Sequence, residues 1–363
     1  MHHDMDDEIQ ATISSILTTR TAAAHLHGAD FSALWKTTVE CVSGGKLLRP
    51  RILVGAFDAF CADAQPGLQT REPVLQMAAA LEILHFSFLL HDDIIDDDLM
   101  RRGEANLMGR LLVEARTSPW SVVVGDELPA RRLHWARNAG LLVGDLMLTL
   151  AHQLFARVQV DRPSRLRILD LLDATVTETV AGEYCDVSLA DGYLGSDPDL
   201  VLKMTCMKTA AYTFELPLRL AAVLAGAQRS AEDQLGQVGR RLGVAFQLQD
   251  DLRSAFESSN VHGKDDHSDF REGKETALIA YARSTSAWEQ LRPLLGTQDF
   301  LPSSAPTIQC LLTECGARKF VESKVADQVE AAMQVLMDGD GELPAAVRDF
   351  CHEIIGKLES GAL

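Results

Sequence analysis

Apolar residues recur every three to four positions over long stretches of this chain, and this spacing is typical of helices that bury one face or more. Runs in which apolar and polar residues alternate are few, and Tyr and Trp number only four each, so strands are not expected to dominate. The pattern predicts an all-α protein with long helices at residues 74–98, 138–158, 165–190, 200–226 and 230–256.

Prolines lie mainly between the predicted helices, and no Gly/Ser-rich linker divides the chain. We therefore predict a single domain over residues 1–363. Two stretches interrupt the helical pattern. Residues 103–137 contain two prolines and two tryptophans, and we predict an irregular insertion there, a long loop with short helical pieces. Residues 257–275 are predicted to form a polar loop after a helix.

Composition and charge narrow the classes of function. Hydrophobic residues make up 47% of the 363 residues, which is ample for a large core, and the formal net charge is −18 at pH 7. Such an acidic chain is a poor match for nucleic acid, whose phosphates require clustered Lys and Arg. It can still bind anionic diphosphates if cations gather locally and metal ions bridge the like charges.

Seven cysteines are scattered along the chain without a CxxC pair, which favours reduced thiols in a cytoplasmic protein over a disulfide framework or a zinc site. The acidic start, MHHDMDDEIQ, does not resemble a signal peptide. The longest apolar stretches, such as residues 81–90, are too short and too interrupted to span a membrane. We therefore expect a soluble protein without a transmembrane segment.

The run HDDIIDDD (91–98) concentrates five aspartates behind a largely apolar predicted helix. Asp92 and Asp96 are four positions apart and so point the same way on a helix. Like charges repel, and the C-terminal end of a helix is unfavourable for anions, so stability does not explain the cluster. Mg²⁺ explains it, because this cation binds one or two carboxylates together with water and phosphate oxygens. The alternative is an acidic helix end that only faces solvent.

A second acid pair, Asp250-Asp251, repeats this arrangement. The segments SFLLHDDIID (87–96) and AFQLQDDLRS (245–254) both carry a Phe four residues and a Leu two residues before the pair, at the end of an apolar helix. Alone, the second pair is as easily explained as a surface feature. Two such helix ends facing one cavity would hold several Mg²⁺ around a diphosphate and draw charge off a leaving group.

Cationic residues that suit phosphate oxygens accompany the acid pairs. Any one of them is also consistent with an ordinary surface cation, except Lys208, which together with Thr209 interrupts an apolar helix. His85, seven residues before Asp92, is either part of the same site or a histidine of the core. The cationic candidates are Lys46, Arg49, Arg101, Arg102, Lys208, Lys264 and Lys274.

Taken in order, these segments resemble the trans-prenyltransferases, also called polyprenyl diphosphate synthases. The resemblance covers roughly residues 40 to 280. Its motifs are GGKLLRP (44–50), HDDIIDDDLMRRG (91–103), GDLML (144–148), KT (208–209), FQLQDD (246–251) and GK…DFREGKET (263–276). It implies the isoprenoid synthase fold, a bundle of long helices around a deep central cavity, in a homodimer.

The resemblance also implies a reaction and its residues. The allylic C–O bond ionises, the double bond of isopentenyl diphosphate attacks the cation, and the diphosphate leaving group takes a proton, with about three Mg²⁺ bound. The metal ligands would be Asp92, Asp96 and Asp250, with Asp93 in the same catalytic cluster. Contacts to the allylic diphosphate would be Arg101, Lys208 and Lys264, with Thr209, Gln247 and Lys274 nearby, and contacts to isopentenyl diphosphate would be Lys46, Arg49, His85 and Arg102.

Three features depart from the family's pattern. The second motif reads DDLRS, so Ser254 stands where a third carboxylate is usual. Gly182-Glu183 stands where Gly-Gln is usual, and EANLMGR follows RRG (101–103) in place of a form with Pro-Thr and His. Because the first aspartate of the second motif is the expected metal ligand, we expect activity to survive with an altered metal affinity or rate.

Product length is expected to depend on the residues just before the first motif. By the resemblance, a large residue there stops chain growth early, and a small one lets the chain pass. Phe88, four residues before Asp92, favours a short product, and Ser87 argues against the shortest. We therefore predict geranylgeranyl diphosphate (C20), with farnesyl diphosphate (C15) next.

Two other functions stay open on the sequence. A class I terpene cyclase also combines an all-α fold with a DDxxD motif, but it has no use for Lys46, Arg49 and His85 together. A non-catalytic regulatory subunit of a heteromeric synthase would account for the altered second motif, although the first motif and the cationic positions are intact.

Overall fold

The computed structural model describes residues 2–42, 45–62, 71–101, 103–117, 128–257, 268–297, 300–338 and 343–363. Within these ranges helices dominate, and strand structure is confined to one short antiparallel hairpin, in which Met100 pairs with Ala105 and Arg101 with Glu104. The prediction of an all-α protein is therefore confirmed.

The chain forms two compact units. The first consists of residues 1–54 and 70–161, and the second of residues 55–69 and 162–363. The prediction of a single domain over residues 1–363 stays a prediction. The elements of the first unit are α1 (His2–His25), α2 (Ala29–Val42), α3 (Leu48–Phe60, which continues into the second unit), α4 (Arg71–Ile95), β1 (Met100–Arg101), β2 (Glu104–Ala105), α5 (Leu107–Thr117) and α6 (Leu128–Arg157).

Apart from residues 55–69, which include the end of α3, the second unit is formed by the chain from Arg162 onward. Its elements are α7 (Arg162–Ala190), α8 (Pro198–Thr205), a π-helix (Cys206–Glu215), α9 (Leu216–Leu224), α10 (Arg229–Phe256), α11 (Ser268–Glu272), α12 (Ala277–Arg283), α13 (Trp288–Leu291), 3₁₀ turns at Arg292–Leu294 and Pro302–Ser304, α14 (Ala305–Glu314), α15 (Ala317–Asp338) and α16 (Ala345–Ser360).

The five predicted long helices are present, with shifted ends. The segment predicted at 74–98 is α4, which ends at Ile95 because Asp97 adopts a left-handed backbone with φ of 60°. The segment predicted at 200–226 is continuous in space but contains the π-helix Cys206–Glu215, whose wider turns are uncommon and often mark functional sites. Apolar periodicity does not distinguish these wider turns from ordinary helical ones.

The prediction of a long loop over residues 103–137 was wrong for most of the described part. The hairpin leads directly into α5, and α6 begins at Leu128, ten residues before the predicted start. The prediction treated the prolines as signs of a loop. Pro129, however, is the second residue of α6, where a missing backbone N–H costs nothing. Residues 118–127, which carry the other proline, lie outside the described residues.

α4 and α6 form the centre of the first unit. Every residue of α4 from Met77 to Leu84 is buried. The two helices approach closely at Gly144 of α6, where an added Cβ would lie 2.5 Å from Nε2 of His91. At the same level, Ser87 donates a hydrogen bond of 2.9 Å to the carbonyl oxygen of Gly144. This packing fixes the end of α4, which carries the first acid cluster.

Two helices, Arg71–Ile95 and Pro129–Arg157, are long and apolar enough to cross a membrane by length and composition. The apolar segments of both helices are longer than residues 81–90, the stretch considered in the sequence. The apolar window of the first is 67% buried inside the protein and that of the second 44%. Buried core helices of soluble proteins have the same character, so these two helices do not by themselves indicate a membrane span.

In the second unit, α10 lies against the π-helix at very short distance. A Cβ added to Gly239 would lie 2.6 Å from Cα of Glu215, and one added to Gly243 would lie 2.5 Å from Cα of Ala210. The two glycines are four residues apart, so they share one face of α10. Their missing side chains let the backbones meet.

Ion pairs reinforce this contact. Arg240 of α10 holds Glu178 of α7 through Nη1 and Nη2, at 2.6 and 2.7 Å, and its Nε lies 2.7 Å from Glu215. Arg219 of α9 binds the same Glu215 at 2.9 Å. Burial raises the pKa of the Glu215 carboxyl, and the guanidinium groups of Arg240 and Arg219 oppose that shift. The network therefore keeps a buried carboxylate compensated.

We expect Gly243→Ala to lower the free energy of unfolding by about 1–3 kcal/mol, because the new methyl group would overlap the backbone of the π-helix. The matched control is Gly356→Ala in α16, where nothing lies within 4 Å of the added Cβ. There the better helix propensity of Ala should stabilise by about 0.5–1 kcal/mol. Urea denaturation followed by circular dichroism measures both; a Gly243→Ala midpoint equal to that of the control would contradict the close contact.

Candidate active site

The first acid cluster continues the end of α4 by one turn of backbone hydrogen bonds. The amide of Asp96 donates to the carbonyl of Asp92 at 2.8 Å, and the amide of Asp98 donates to the carbonyl of Asp93, also at 2.8 Å. Asn106, at the start of α5, donates from Nδ2 to the carbonyl of Asp98 at 2.8 Å. The cluster is therefore held in a defined conformation and is not a frayed helix end.

Asp93 is the buried member of the cluster, with its side chain only 3% exposed. Nε of Arg101 donates to its Oδ1 at 3.0 Å, and Nη2 of Arg101 donates to the same oxygen. Nη2 also lies 3.4 Å from Oδ2 of Asp92. Burial raises the pKa of the Asp93 carboxyl, and the guanidinium of Arg101 opposes this. The β1–β2 hairpin brings Arg101 back onto α4 for this pairing.

Asp92 and Asp96 keep a different environment. The side chain of Asp92 is 24% exposed, and Asp96 is half-buried. They stand four residues apart, as the sequence predicted for one helix face. Oxygen donors of this kind, partly accessible and backed by a buried helix, are those that Mg²⁺ selects when it shares its coordination sphere with water and phosphate. The donor set in the first unit thus fits the metal expected from the motif.

Two further contacts hold the same region. Arg137 of α6 pairs with Asp97, whose side chain is 68% exposed. Nε2 of His91 lies 3.4 Å from Oδ1 of Asp145, next to Gly144. The GDLML motif (144–148) therefore contacts α4 one residue before the acid pair.

The cationic segment 44–50 is described from Gly45 onward. Leu47 has φ of 54°, a left-handed conformation that is rare for a bulky residue and often marks functional sites. It separates exposed Lys46 from buried Arg49. An added Cβ on Gly45 would lie 2.2 Å from Oε1 of Glu82 in α4, so this carboxylate packs directly on the turn.

Glu82 is a residue that the sequence interpretation missed. It is 4% exposed and lies three residues before half-buried His85, on the same face of α4. The signal was available: a charged residue in the middle of a run of buried apolar residues is rare unless it is paired. Arg102, the other predicted member of this group, lies outside the described residues.

The second acid pair lies in α10, in the last two turns. Asp250 is half-buried, whereas Asp251 is 8% exposed and accepts a hydrogen bond of 2.9 Å from Nε2 of Gln247. Ser254 follows one turn after Asp250 and is also half-buried, and its hydroxyl group offers a cation a neutral oxygen in place of a charged carboxylate. As in the first cluster, one aspartate is buried and bonded while its neighbour stays partly accessible.

Lys208 projects from the π-helix onto α7. Its Nζ donates to Oδ2 of Asp186 at 2.6 Å and to Oε1 of Glu183 at 3.2 Å, and it lies 3.0 Å from Oε2 of Glu183. The helices meet here because Gly182 has no side chain: a Cβ there would lie 2.3 Å from the backbone N of Lys208. Thr209 is half-buried beside it.

Asp186 is the second residue that the sequence interpretation missed. It lies three residues after Glu183 on α7, and this spacing puts both carboxylates on one face.

Two predicted cations remain, Lys274 and Lys264. Lys274 lies 3.2 Å from Oε2 of Glu272, and Lys264 lies outside the described residues.

The two residues expected to control product length differ in their contacts. Ser87 is fully buried and bonded to Gly144, as described above. Phe88 is half-buried and stands four residues before Asp92, on the same helix face.

Comparisons with known proteins identify the family of this chain. A sequence model of polyprenyl synthetases matches residues 33–306. The chain is 29% identical over 302 residues to a geranylfarnesyl diphosphate synthase of Aeropyrum pernix, covering 81% of this chain and 83% of that one. It is 26% identical over 294 residues to a geranylgeranyl diphosphate synthase of Methanosarcina mazei, covering 81% and 80%.

A solved structure is similar along nearly the whole chain. The geranylgeranyl pyrophosphate synthase of Corynebacterium glutamicum, solved with isoprenyl diphosphate and magnesium, superposes with a TM-score of 0.86 at 27% identity and covers 98% of both chains. The fold and the motifs thus define a prenyltransferase with the isoprenoid synthase fold. The chain belongs to the polyprenyl synthetase family, whose enzymes make prenyl diphosphates from isopentenyl and allylic diphosphates and generally use Mg²⁺.

We expect Asp93→Asn to destabilise the protein by about 2 kcal/mol, because the buried amide removes the charged partner that lies nearest to the guanidinium of Arg101. The value is at the low end for a buried pair because the side chain of Arg101 is 34% exposed. Asp97→Asn is the control, since it removes the same charge from an exposed pair and should cost no more than about 1 kcal/mol. Thermal unfolding of both variants measures the difference; equal melting temperatures would contradict it.

Proposed function

We propose that this chain condenses isopentenyl diphosphate with an allylic diphosphate, head to tail, to give a short-chain all-trans prenyl diphosphate. The observation that carries the proposal is the division of the first acid cluster. Asp93 is buried and neutralised by Arg101, while Asp92 and Asp96 stay partly exposed on one helix face. Accessible carboxylates at the end of a buried helix are costly for stability and suited to a metal-bound diphosphate.

The proposed Mg²⁺ ligands are Asp92 and Asp96 in the first unit and Asp250 in the second. Magnesium, when bound, stabilises the negative charge that develops on a diphosphate leaving group, and about three ions would serve one substrate. The Corynebacterium glutamicum enzyme was solved with magnesium and isoprenyl diphosphate, and this supports the choice of metal. Ser254, in place of a third carboxylate, is expected to weaken the metal affinity of the second motif without removing it.

Cations complete the proposed binding of the allylic diphosphate. Arg101, Lys208 and Lys264 are the proposed contacts, with Thr209, Gln247 and Lys274 nearby. Their charges stabilise the leaving group as the allylic C–O bond breaks. Arg101 also orients Asp93, and Gln247 also orients Asp251, so each couples a substrate contact to the acid pair beside it.

A separate group is proposed for isopentenyl diphosphate, formed by Lys46, Arg49, His85 and Arg102. The strained turn at Leu47 and the packing of Glu82 on Gly45 support a preorganised segment here. Holding the diphosphate of this second substrate by fixed cations orients its double bond toward the allylic carbon. The proton that is lost afterwards passes to the departing diphosphate.

The proposed product is geranylgeranyl diphosphate (C20), with farnesyl diphosphate (C15) next. Phe88 supports a short product because it shares a helix face with Asp92. Ser87 carries less weight than the sequence suggested, because its side chain is buried against Gly144. Relatives at similar identity make both geranylgeranyl and geranylfarnesyl diphosphate, so identity alone does not select a length.

We further propose a homodimer in the cytoplasm. Apolar side chains that are exposed on the long helices support this proposal, because an interface between two copies of the chain would bury them. On α6, Trp135 and Leu142 are 48% and 66% exposed and stand seven residues apart on one face. On α7, Val180 and Tyr184 are 57% and 74% exposed and stand four residues apart.

The first test is an elongation assay. Purified protein with Mg²⁺ and isopentenyl diphosphate is given dimethylallyl, geranyl or farnesyl diphosphate, and the dephosphorylated products are sized by chromatography. We expect discrete longer prenols, with C20 as the end product. In the same assay Phe88→Ala should give longer products, because the smaller side chain no longer limits the length of the prenyl chain whose diphosphate is bound at Asp92.

Other outcomes discriminate between the alternatives. Release of cyclic hydrocarbon would replace the proposal with terpene cyclisation. No turnover with any primer would favour a regulatory subunit, and activity restored by adding a second synthase would establish that role. Unchanged product length in Phe88→Ala would contradict the proposed role of this residue.

The second test addresses the metal ligands. We expect Asp92→Asn to lower kcat at least about a hundredfold, because a preorganised charge interaction at the leaving group is lost. Asp97→Asn removes the same charge from the same cluster at an exposed position and should leave kcat nearly unchanged. Steady-state kinetics across a Mg²⁺ titration measures both. Near-normal kcat in Asp92→Asn would reject the metal assignment.

A further inference from the structure

Glu183 distinguishes this chain from the family pattern, in which Gln is usual at this position, and its carboxylate contacts a lysine of the proposed site. Oε1 and Oε2 of Glu183 lie 3.2 and 3.0 Å from Nζ of Lys208. Asp186 approaches the same Nζ at 2.6 Å. The three side chains are each about one-fifth exposed, at 20%, 22% and 20% for Lys208, Glu183 and Asp186.

The backbone fixes this arrangement. Lys208 lies in the π-helix, and its backbone is pressed against Gly182, the residue just before Glu183. The backbone of Lys208 therefore lies close to α7, and its side chain does not need to be extended for the ammonium group to reach the carboxylates. Asp186 stands almost one turn further along the same helix, so both carboxylates approach from one side.

Charge makes the consequence clear. One ammonium and two carboxylates sum to a net charge of −1 at neutral pH. A diphosphate that approaches this group meets a lysine already neutralised and an additional carboxylate that repels it. With Gln in place of Glu183, the group would be neutral, and Asp186 alone would hold the lysine.

We infer that Glu183 is a positioning residue that lowers the affinity of this site for diphosphates by holding Lys208. The inference rests on the proposed function, in which Lys208 contacts the allylic diphosphate. Binding of that substrate requires the Glu183–Lys208 contact to be given up. The chain therefore binds its allylic substrate more weakly, and releases its diphosphate product more readily, than it would with Gln at this position.

The test compares Glu183→Gln with the native chain by isothermal titration calorimetry, using inorganic pyrophosphate in EDTA. We expect Glu183→Gln to bind pyrophosphate about tenfold more tightly, the effect of about one hydrogen bond to a charged group. The matched control is Asp173→Asn, which removes the same charge from an exposed position ten residues earlier on α7. It should leave pyrophosphate binding unchanged. Glu183→Ala is a second variant with the same expected direction.

A double variant shows whether the effect passes through the lysine. In a Lys208→Ala background, Glu183→Gln should tighten pyrophosphate binding by no more than about twofold. Equal tightening in both backgrounds would mean that Glu183 acts on the anion directly, and this would overturn the inference. No tightening in Glu183→Gln, or tightening equal to that of Asp173→Asn, would also overturn it.

Kinetics provides an independent measure. In the elongation assay Glu183→Gln should lower KM for geranyl diphosphate by about tenfold and leave KM for isopentenyl diphosphate unchanged. A fall in both KM values would contradict the specific role. If the native chain elongates no primer, the proposed function fails, and the pyrophosphate titration still decides the competition between Glu183 and the anion for Lys208.

Discussion

Repulsion among the five aspartates at the C-terminal end of α4 and just beyond it is the constraint on which the first unit depends. A helix end already carries partial negative charge, so each added carboxylate raises the cost. The fold places these aspartates in different environments. Asp93 is buried against Arg101, Asp97 is paired with Arg137, and backbone amides return to the carbonyls of Asp92 and Asp93. The partly exposed carboxylates of Asp92 and Asp96 thereby lie on one helix face.

The second unit divides its acid pair in a similar way, but it is held together by different contacts. Its acid pair is also divided, with Asp251 bonded to Gln247 and Asp250 partly accessible. Here, however, the packing rests on the meeting of α10 with the π-helix at Gly239 and Gly243. The ion pairs of Arg240 keep that contact electrically balanced. Lys208, a proposed substrate contact, and Glu215, a packing residue, lie within the same π-helix.

The sequence was sufficient for the helical class and for the positions of both acid pairs, because apolar periodicity and carboxylate spacing are local signals. It was not sufficient for the roles within each pair. Asp92 and Asp93 are identical in chemistry, and only the return of the hairpin at Arg101 decides which is buried. Asp186 was missed for a related reason, because its partner, Lys208, is distant in sequence. Glu82 also contacts a distant segment, at Gly45, although its position within an apolar run was a local signal. The proline signal misplaced the start of α6 because Pro129 is compatible with a first turn.

The π-helix has a consequence for how this chain tolerates insertions and deletions. Its turns close i→i+5 hydrogen bonds in place of i→i+4, so a stretch of ten residues turns through a smaller angle than an ordinary helix of that length. Loss of one residue between Cys206 and Glu215 would rotate the helix on one side of it, relative to the other side, by the angle of one residue, which in these wider turns is smaller than the roughly 100° of an α-helix. A deletion between Lys208 and Glu215 would therefore change the direction of one of these side chains relative to the other. The length of this segment is therefore constrained, whereas surface loops tolerate insertions and deletions.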